Sequence, residues 1–349
     1  MGVPLGWSDK FPSILARISV AVLGMTVPIA VGVVAGRPEV GVFAAFGGLA
    51  VGGEGAAPDF RRYIRSLCWA TVAGWLAFLV GGFLSQQGVL RLVLLPPLFF
   101  LVSLFGGMSR TLARYTTLFL LFLVIAISVE LPGVGFVVSS SLFLGGAVWT
   151  VLVAMVFWPL RKRDGEETQA PAKAYTGKQL AGHWAQSLGT LQGWLYALRL
   201  TASALVAVVL IAVIPLGHMF WILLTVGILV QRNAEHLPVK MLQRGVGTLL
   251  GVLLLGALSL IAPGVMVSVA AVLVFSGLRA YFKENHYLLY SVAMTALVVI
   301  LLDFGAALSF EVMLDRLVAT VIGCAVSFVV GYAVWMGVLG SKGKGMGGK

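Results

Sequence analysis

The sequence predicts an all-α integral membrane protein of two parallel six-helix transmembrane repeats, about twelve spans in all, with both termini in the cytoplasm. Three observations carry that expectation: an apolar composition, a series of helix-length apolar runs, and a one-sided distribution of Lys and Arg. Of the 349 residues, 60% are hydrophobic and 11% charged, and the mean hydropathy is +1.02. A soluble domain carries about 25% charged residues.

A helix crosses the bilayer core with about 20 mainly apolar residues, because lipid satisfies no free backbone group. Such runs fall at 14–35, 40–56, 66–84, 89–107, 111–130 and 136–159, and again at 198–215, 219–231, 245–262, 264–281, 286–303 and 312–338. The second and eighth, VGVFAAFGGLAVGG and MFWILLTVGILVQ, are short or glycine-rich. They are expected to be broken, tilted or shielded by neighbours. The opening MGVPLGWSDKFPS has neither a basic n-region nor an A-x-A cleavage site, so the first run reads as a retained signal anchor. Gly at position 6 speaks against myristoylation. Cys68 and Cys324 each fall within a span, which leaves no disulfide framework or metal cluster to build.

With the N-terminus inside, only Arg37, Arg91 and Arg316 fall outside, leaving 21 of the 24 Lys and Arg in the cytoplasm. The chain then divides into a first repeat (1–160), a cytoplasmic linker with an amphipathic interfacial helix (161–197), a second repeat (198–340) and a basic tail (341–349). Leu180, Trp184, Leu188, Leu191, Leu195 and Leu198, three or four residues apart, define that helix and run it into the seventh span. Duplication shows in three places. Arg17 and Arg199 open similar apolar helices, Arg65 and Arg244 open the third span of each half, and Gly146 and Trp158 lie 177 positions before Gly323 and Trp335. An even number of spans per half makes the repeat parallel, with the path between the halves.

Motifs for soluble chemistry do not survive their context. Gly245, Gly247 and Gly251 resemble a dinucleotide loop, but that fingerprint must follow a strand. Small-xxx-small helix packing, at Gly247 and Gly251 or at Gly32 and Gly36, is the physical alternative. The tail GKGMGGK lacks the Ser/Thr and following helix of a phosphate loop. His183, His218, His236 and His286 are dispersed without ligand spacing, and no G-x-S-x-G occurs. The net charge of +11 is spread over loops and argues topology, not nucleic acid. No enzyme, metal or cofactor is expected.

Polar groups at or inside span ends are functional candidates because their burial is expensive. One cluster is His218, Trp221, Thr225, Gln231 and Arg232: either a ligand wall or interface aromatics with a capping Arg. A second is Asp303, Glu311, Asp315 and Arg316, where carboxylates can take up protons with Arg316 tuning them, or simply form an acidic outer loop. The third joins Arg110, Arg114 and Tyr115 to Arg279, Lys283, Asn285 and His286, as a vestibule for organic anions or as ordinary positive-inside loops. Arg244, at the entrance to its span, reads equally as a snorkelling anchor.

FWILLTVGILVQRN, RGVGTLLGVLLLGAL and DRLVATVIGCAVSFVVGY resemble segments of the fusaric acid resistance and aromatic acid exporter family of bacterial inner-membrane proteins. The matching positions are Arg244, Gly247, Thr248 and Gly251, and Arg316, Thr320 and Gly323. The resemblance spans 199–338 and, more weakly, 17–159; the first half departs from it at Leu67, Cys68 and Trp69 after Arg65. It implies a multi-pass inner-membrane exporter of aromatic or related organic acids, driven by the proton gradient. The resulting expectation places substrate at His218, Trp221, Thr225, Arg232, Arg244 and Thr248, proton coupling at Asp303, Asp315 and Arg316, and the vestibule at Arg110, Arg114, Arg279 and Lys283. The partners are a small organic anion and membrane lipid, with a homo-oligomer left open and no nucleic acid. An organic-anion channel and a noncatalytic membrane scaffold are the alternatives.

Overall fold

The computed structural model describes residues 7–55, 57, 59–129, 135–165, 177–214, 219–232, 237–261, 264–302, 304 and 310–335. Among these residues the chain is helical and contains no strand. The first half supplies α1 (Trp7–Val34), α2 (Pro38–Val51), α3 (Phe60–Ser85), α4 (Leu90–Phe105), α5 (Arg110–Ser128), α6 (Phe136–Val156) and α7 (Trp158–Gly165). The second supplies α8 (Gly177–Leu188), α9 (Leu191–Val213), α10 (Trp221–Leu229), α11 (Leu237–Ile261), α12 (Val265–Phe282), α13 (Tyr287–Leu302) and α14 (Phe310–Phe328). Nine helical segments among the described residues are long and apolar enough to cross a membrane. This is a multi-pass helical membrane-type protein.

Local chemistry sets several helix starts. Asp59 caps α3 by accepting from the Arg62 amide at 2.7 Å, and Ser109 caps α5 by accepting from the Leu112 amide at 3.0 Å. Pro38 opens α2, where its missing N–H costs nothing. Ahead of it, Gly36 takes φ +70° and lets α1 turn back sharply.

Three of the apolar helices fall short of a membrane span: α2 has 14 residues, α10 has 9 and α13 has 16. Burial accounts for them. From Gly41 onward α2 is buried at every residue but Ala44, and α10 at every residue but Ile228. A helix wrapped by protein need not match the bilayer, since neighbours shield its ends from lipid. The expected shielding of the second and eighth apolar runs is therefore met.

The same packings recur in the two halves. α1 lies on α2, α2 on α6, and α3 on both α5 and α6; likewise α9 lies on α10, α10 on α14, and α11 on both α13 and α14. Between halves the contacts are reciprocal, α1 against α12 and α4 against α9. Glycine makes the corresponding crossings. A Cβ on Gly146 of α6 would stand 1.8 Å from the Ala44 carbonyl oxygen of α2, and one on Gly323 of α14 would stand 2.6 Å from Thr225 Cβ of α10. Gly247 and Gly251 of α11 face Ser291 and Thr295 of α13, with a Cβ 2.6 and 3.0 Å from those side chains. That is the close approach of small-xxx-small packing. Gly32 and Gly36 do not share this role: Gly32 abuts Gly41 in the α1–α2 hairpin, while Gly36 has open space around it.

The amphipathic helix expected to run unbroken into the seventh span is interrupted at Gly189 and Thr190. Their amides bond back to Gln186 and Ser187 and end α8. Trp184 of α8 donates to the Leu104 carbonyl at 3.2 Å and stacks on Phe105, so α8 docks on the end of α4. Beyond α14 the helix widens into a π-helical stretch, Val329–Ala333. There the Arg199 Nε of α9 donates to the Gly331 carbonyl at 2.6 Å. Widened turns of this kind free a carbonyl for an outside donor.

Candidate functional site

The α11–α13 and α10–α14 crossings bring a polar centre into the second half. α11 contributes Arg244 and Thr248, α13 Ser291 and Thr295, α10 Trp221 and Thr225, and α14 Arg316 and Thr320. All eight are buried. Thr225 and Thr320 donate to carbonyls one turn back, at 3.0 and 2.8 Å. Thr248 and Thr295 meet hydroxyl to hydroxyl at 3.4 Å.

The two arginines dominate the energetics. Each is 1% exposed, and they rank among the largest fully buried side chains. Arg316 lays its guanidinium over Trp221, with Cζ 3.7 Å from the ring centroid, and among the described residues none of its three nitrogens has a hydrogen-bond partner. Arg244 reaches Ser291 Oγ through Nη1 at 3.5 Å, while its Nε and Nη2 have no hydrogen-bond partner among the described residues. The two cations lie close enough to repel each other. Dehydrating each guanidinium costs several kcal/mol, whereas a desolvated cation–π contact returns about 2 kcal/mol. Among the described residues neither guanidinium hydrogen-bonds a carboxylate. Planar N–H forks of this kind can pair bidentately with a carboxylate.

This placement sorts the residues singled out in the sequence. Trp221, Thr225, Arg244 and Thr248 lie together where α10 and α11 cross α14 and α13, and Arg316 joins them from within α14. Arg244 is not a snorkelling anchor, because its head is buried, whereas its repeat partner Arg65 is exposed. Arg232 stands apart: it donates to the Ser103 carbonyl at 3.2 Å and covers the Tyr196 ring. Asp315 is buried in α14 and has an interaction partner of its own. His218 and Asp303 lie outside the described residues.

Residues 180–330 match the model of the fusaric acid resistance protein-like family. The resemblance read from the sequence holds over that stretch. A protein of Haemophilus influenzae, whose name reads "Uncharacterized protein", is 28% identical over 138 residues, which are 39% of this chain and 19% of that relative. The chain thus covers about a fifth of the relative's length. No solved structure matches.

The polar centre lies wholly inside this fusaric acid resistance-like stretch. The first half fills the corresponding space with rings. Phe143, 177 positions before Thr320, stacks on Phe78 at 4.4 Å, with Phe43, Phe46 and Phe122 packed around that pair. The first half also holds a crevice of about 500 Å³, between Pro28, Gly41, Gly146 and Trp149, lined almost entirely by apolar groups.

Three of the four vestibule residues, Arg114, Arg279 and Lys283, gather near a carboxylate that sequence reading missed. Glu54, just past α2, is 4% exposed and pairs with Arg114 at 2.9 Å. Arg161 donates to the Glu54 carbonyl at 3.0 Å and to the Tyr63 hydroxyl. Arg279 donates to the Leu49 carbonyl at 3.3 Å, and Lys283 to the Gly53 carbonyl. Three cations thus cap the negative C-terminal end of α2. Burial raises the Glu54 carboxyl above its usual range, against the pull of Arg114, Lys283 and Arg161. Desolvation, helped by Arg279 and Arg114, lowers Lys283 to about 8. Arg110 is exposed and has no part in this cluster.

Proposed function

We propose that the protein exports aromatic or other amphipathic organic acids across the bacterial inner membrane, driven by the proton gradient. The observation that supports this reading is the pair of buried guanidinium groups, Arg244 and Arg316, without hydrogen-bonded carboxylates and beside the Trp221 ring. One anion between them would relieve both their desolvation and their repulsion. Thr248 and Thr295 add hydroxyls for orientation, and His218, outside the described residues, is assigned to the same site.

In this reading the chain forms two parallel six-helix repeats, 1–160 and 198–340, with both termini inside. The recurring helix packings support the duplication, and the short α2, α10 and α13 complete twelve apolar helices with the nine longer ones. The orientation rests on the partition of basic residues. Thiol reagents applied outside intact cells should fail to label cysteines placed at Thr168 and Ser341; efficient labelling of both would overturn it.

Proton coupling is assigned to Asp303, which lies outside the described residues, and to Asp315 within α14, with Arg316 as its neighbouring cation. Vesicles loaded with a weak aromatic acid test this directly. Export should require an imposed pH gradient, and Asp303→Asn or Asp315→Asn should abolish that export while counterflow persists. Gradient-independent flux would make the protein an anion channel, and absence of any flux a scaffold.

A further inference from the structure

The apolar crevice of the first half has a direction. It follows α1 from Val27 to Ala35, a rise of about 12 Å, and its two ends differ in chemistry. At one end stands Trp149 of α6, whose indole N–H already donates to the Leu23 carbonyl of α1 at 3.0 Å, so it offers the crevice only its ring. At the other, the α1–α2 turn supplies Arg37, the one charged residue of the lining. Arg37 is exposed and makes no ion pair among the described residues. Glu39, the nearest carboxylate along the chain, is not part of the lining.

The sequence keeps this space open. Pro28 has no N–H for the Gly24 carbonyl, and the Thr150 hydroxyl of α6 donates to that carbonyl at 3.4 Å instead. Gly32, Gly41 and Gly146 are taken up by helix contacts, since a Cβ on any of them would strike backbone. Gly145 is different. A Cβ there meets nothing within 4 Å, so no packing inside the chain demands a poor helix former in the middle of α6. Its missing side chain leaves volume in the crevice. Val31, also in the lining, is 63% exposed, so the crevice opens toward the surroundings of α1 and α6, both long and apolar enough to cross a membrane.

We propose that this crevice binds an anionic phospholipid, with one acyl chain laid along α1 and the phosphate on the Arg37 guanidinium. A cation at one end and carbon along the rest complement an amphiphile with a negative head and a single tail, and the arginine fork suits phosphate. The length fits a lipid: about 12 Å is most of the roughly 15 Å hydrocarbon depth of one leaflet. A one-ring acid would leave much of the crevice empty and find no side-chain hydroxyl or amide in the lining to orient it. A second copy of the chain fits less well, because of the lining glycines only Gly145 is free to admit another helix. The site rests on the membrane-type fold and is independent of the transport reading.

Native mass spectrometry of the full chain in detergent micelles, titrated with phosphatidylglycerol or with net-neutral phosphatidylcholine, tests the proposal. The wild type should hold one phosphatidylglycerol about fivefold more tightly than phosphatidylcholine, the effect of a single cation at the membrane surface. Arg37→Gln should erase that preference and still bind phosphatidylcholine. Gly145→Phe, which fills the crevice, should lose the tightly held lipid altogether, while Arg65→Gln, at another exposed arginine, should match the wild type. Thermal unfolding gives a second readout: phosphatidylglycerol should raise the wild-type midpoint and leave that of Gly145→Phe unchanged. A Gly145→Phe protein that binds and is stabilised like the wild type, or an Arg37→Gln protein that keeps the preference, would overturn the proposal. Should Gly145→Phe fail to fold, the exposed Arg37→Gln decides. Displacement of the lipid by benzoate would make the crevice a pocket for aromatic acids, and a wild-type dimer that Gly145→Phe dissociates without loss of lipid would make it an interface between copies; either result also overturns the proposal.

Discussion

Replacing Arg316 with Met is expected to make the empty protein more stable and to abolish its response to organic anions. Removing a buried charge that lacks a hydrogen-bonded counterion, in favour of an apolar side chain of similar length, can stabilise by about 1–4 kcal/mol. The wild type should gain about 2.7 kcal/mol from an aromatic carboxylate at 100-fold its dissociation constant. Arg316→Met should gain nothing, and Arg244→Gln should lose the response too. Arg65→Ala is the control: its side chain is exposed, so stability should move by less than about 0.5 kcal/mol and the anion response should remain. Thermal unfolding in detergent, with and without the acid, reads all four proteins. An Arg316→Met variant that is less stable yet still stabilised by the anion would remove the arginine pair from the site.

Gly146→Ala should cost most of the folded protein. Its Cβ would lie 1.8 Å from a backbone oxygen and 2.4 Å from the backbone carbon of the same peptide, so no side-chain rotation relieves the clash. Overpacking typically costs about 1–3 kcal/mol, and backbone against backbone belongs at the upper end of that range or beyond. Gly323→Ala should be milder, because its nearest neighbour is the Thr225 side chain at 2.6 Å. Gly145→Ala, with nothing within 4 Å of the new atom, should be harmless. Size-exclusion yields of fluorescent fusions would rank the three, and equal yields would show that the α2–α6 crossing is looser than described.

Composition and apolar run length were enough to reveal the helical membrane class, because hydrocarbon leaves the backbone few alternatives. The arginine of the R-x-x-G-T-x-x-G stretch was legible too, since the spacing of Gly247, Thr248 and Gly251 marks a packed helix face. Arg316 was harder to place. Assigning it to the outside assumed a span starting near it, but α14 begins at Phe310 and carries Arg316 nearly two turns inward. Glu54 was invisible for a different reason. Its partners Arg114, Arg161 and Lys283 are far away along the chain, and only tertiary packing turns a lone Glu between two glycines into a buried ion pair. Counting cations along the chain also cannot reveal which of them bond to carbonyls, as Arg279 and Lys283 do.

The depth of the arginine pair also has an electrical side. Arg244 and Arg316 sit on α11 and α14, both long and apolar enough to cross a membrane, so in the transport reading their charges lie inside whatever voltage falls across it. One elementary charge moved through the whole of that field is worth about 2.3 kcal/mol per 100 mV. An anion that reaches the pair has travelled only part of the way, and its occupancy follows the corresponding fraction of the potential. The sign of that voltage dependence reports the side from which the anion entered, and its steepness reports how deep the pair lies.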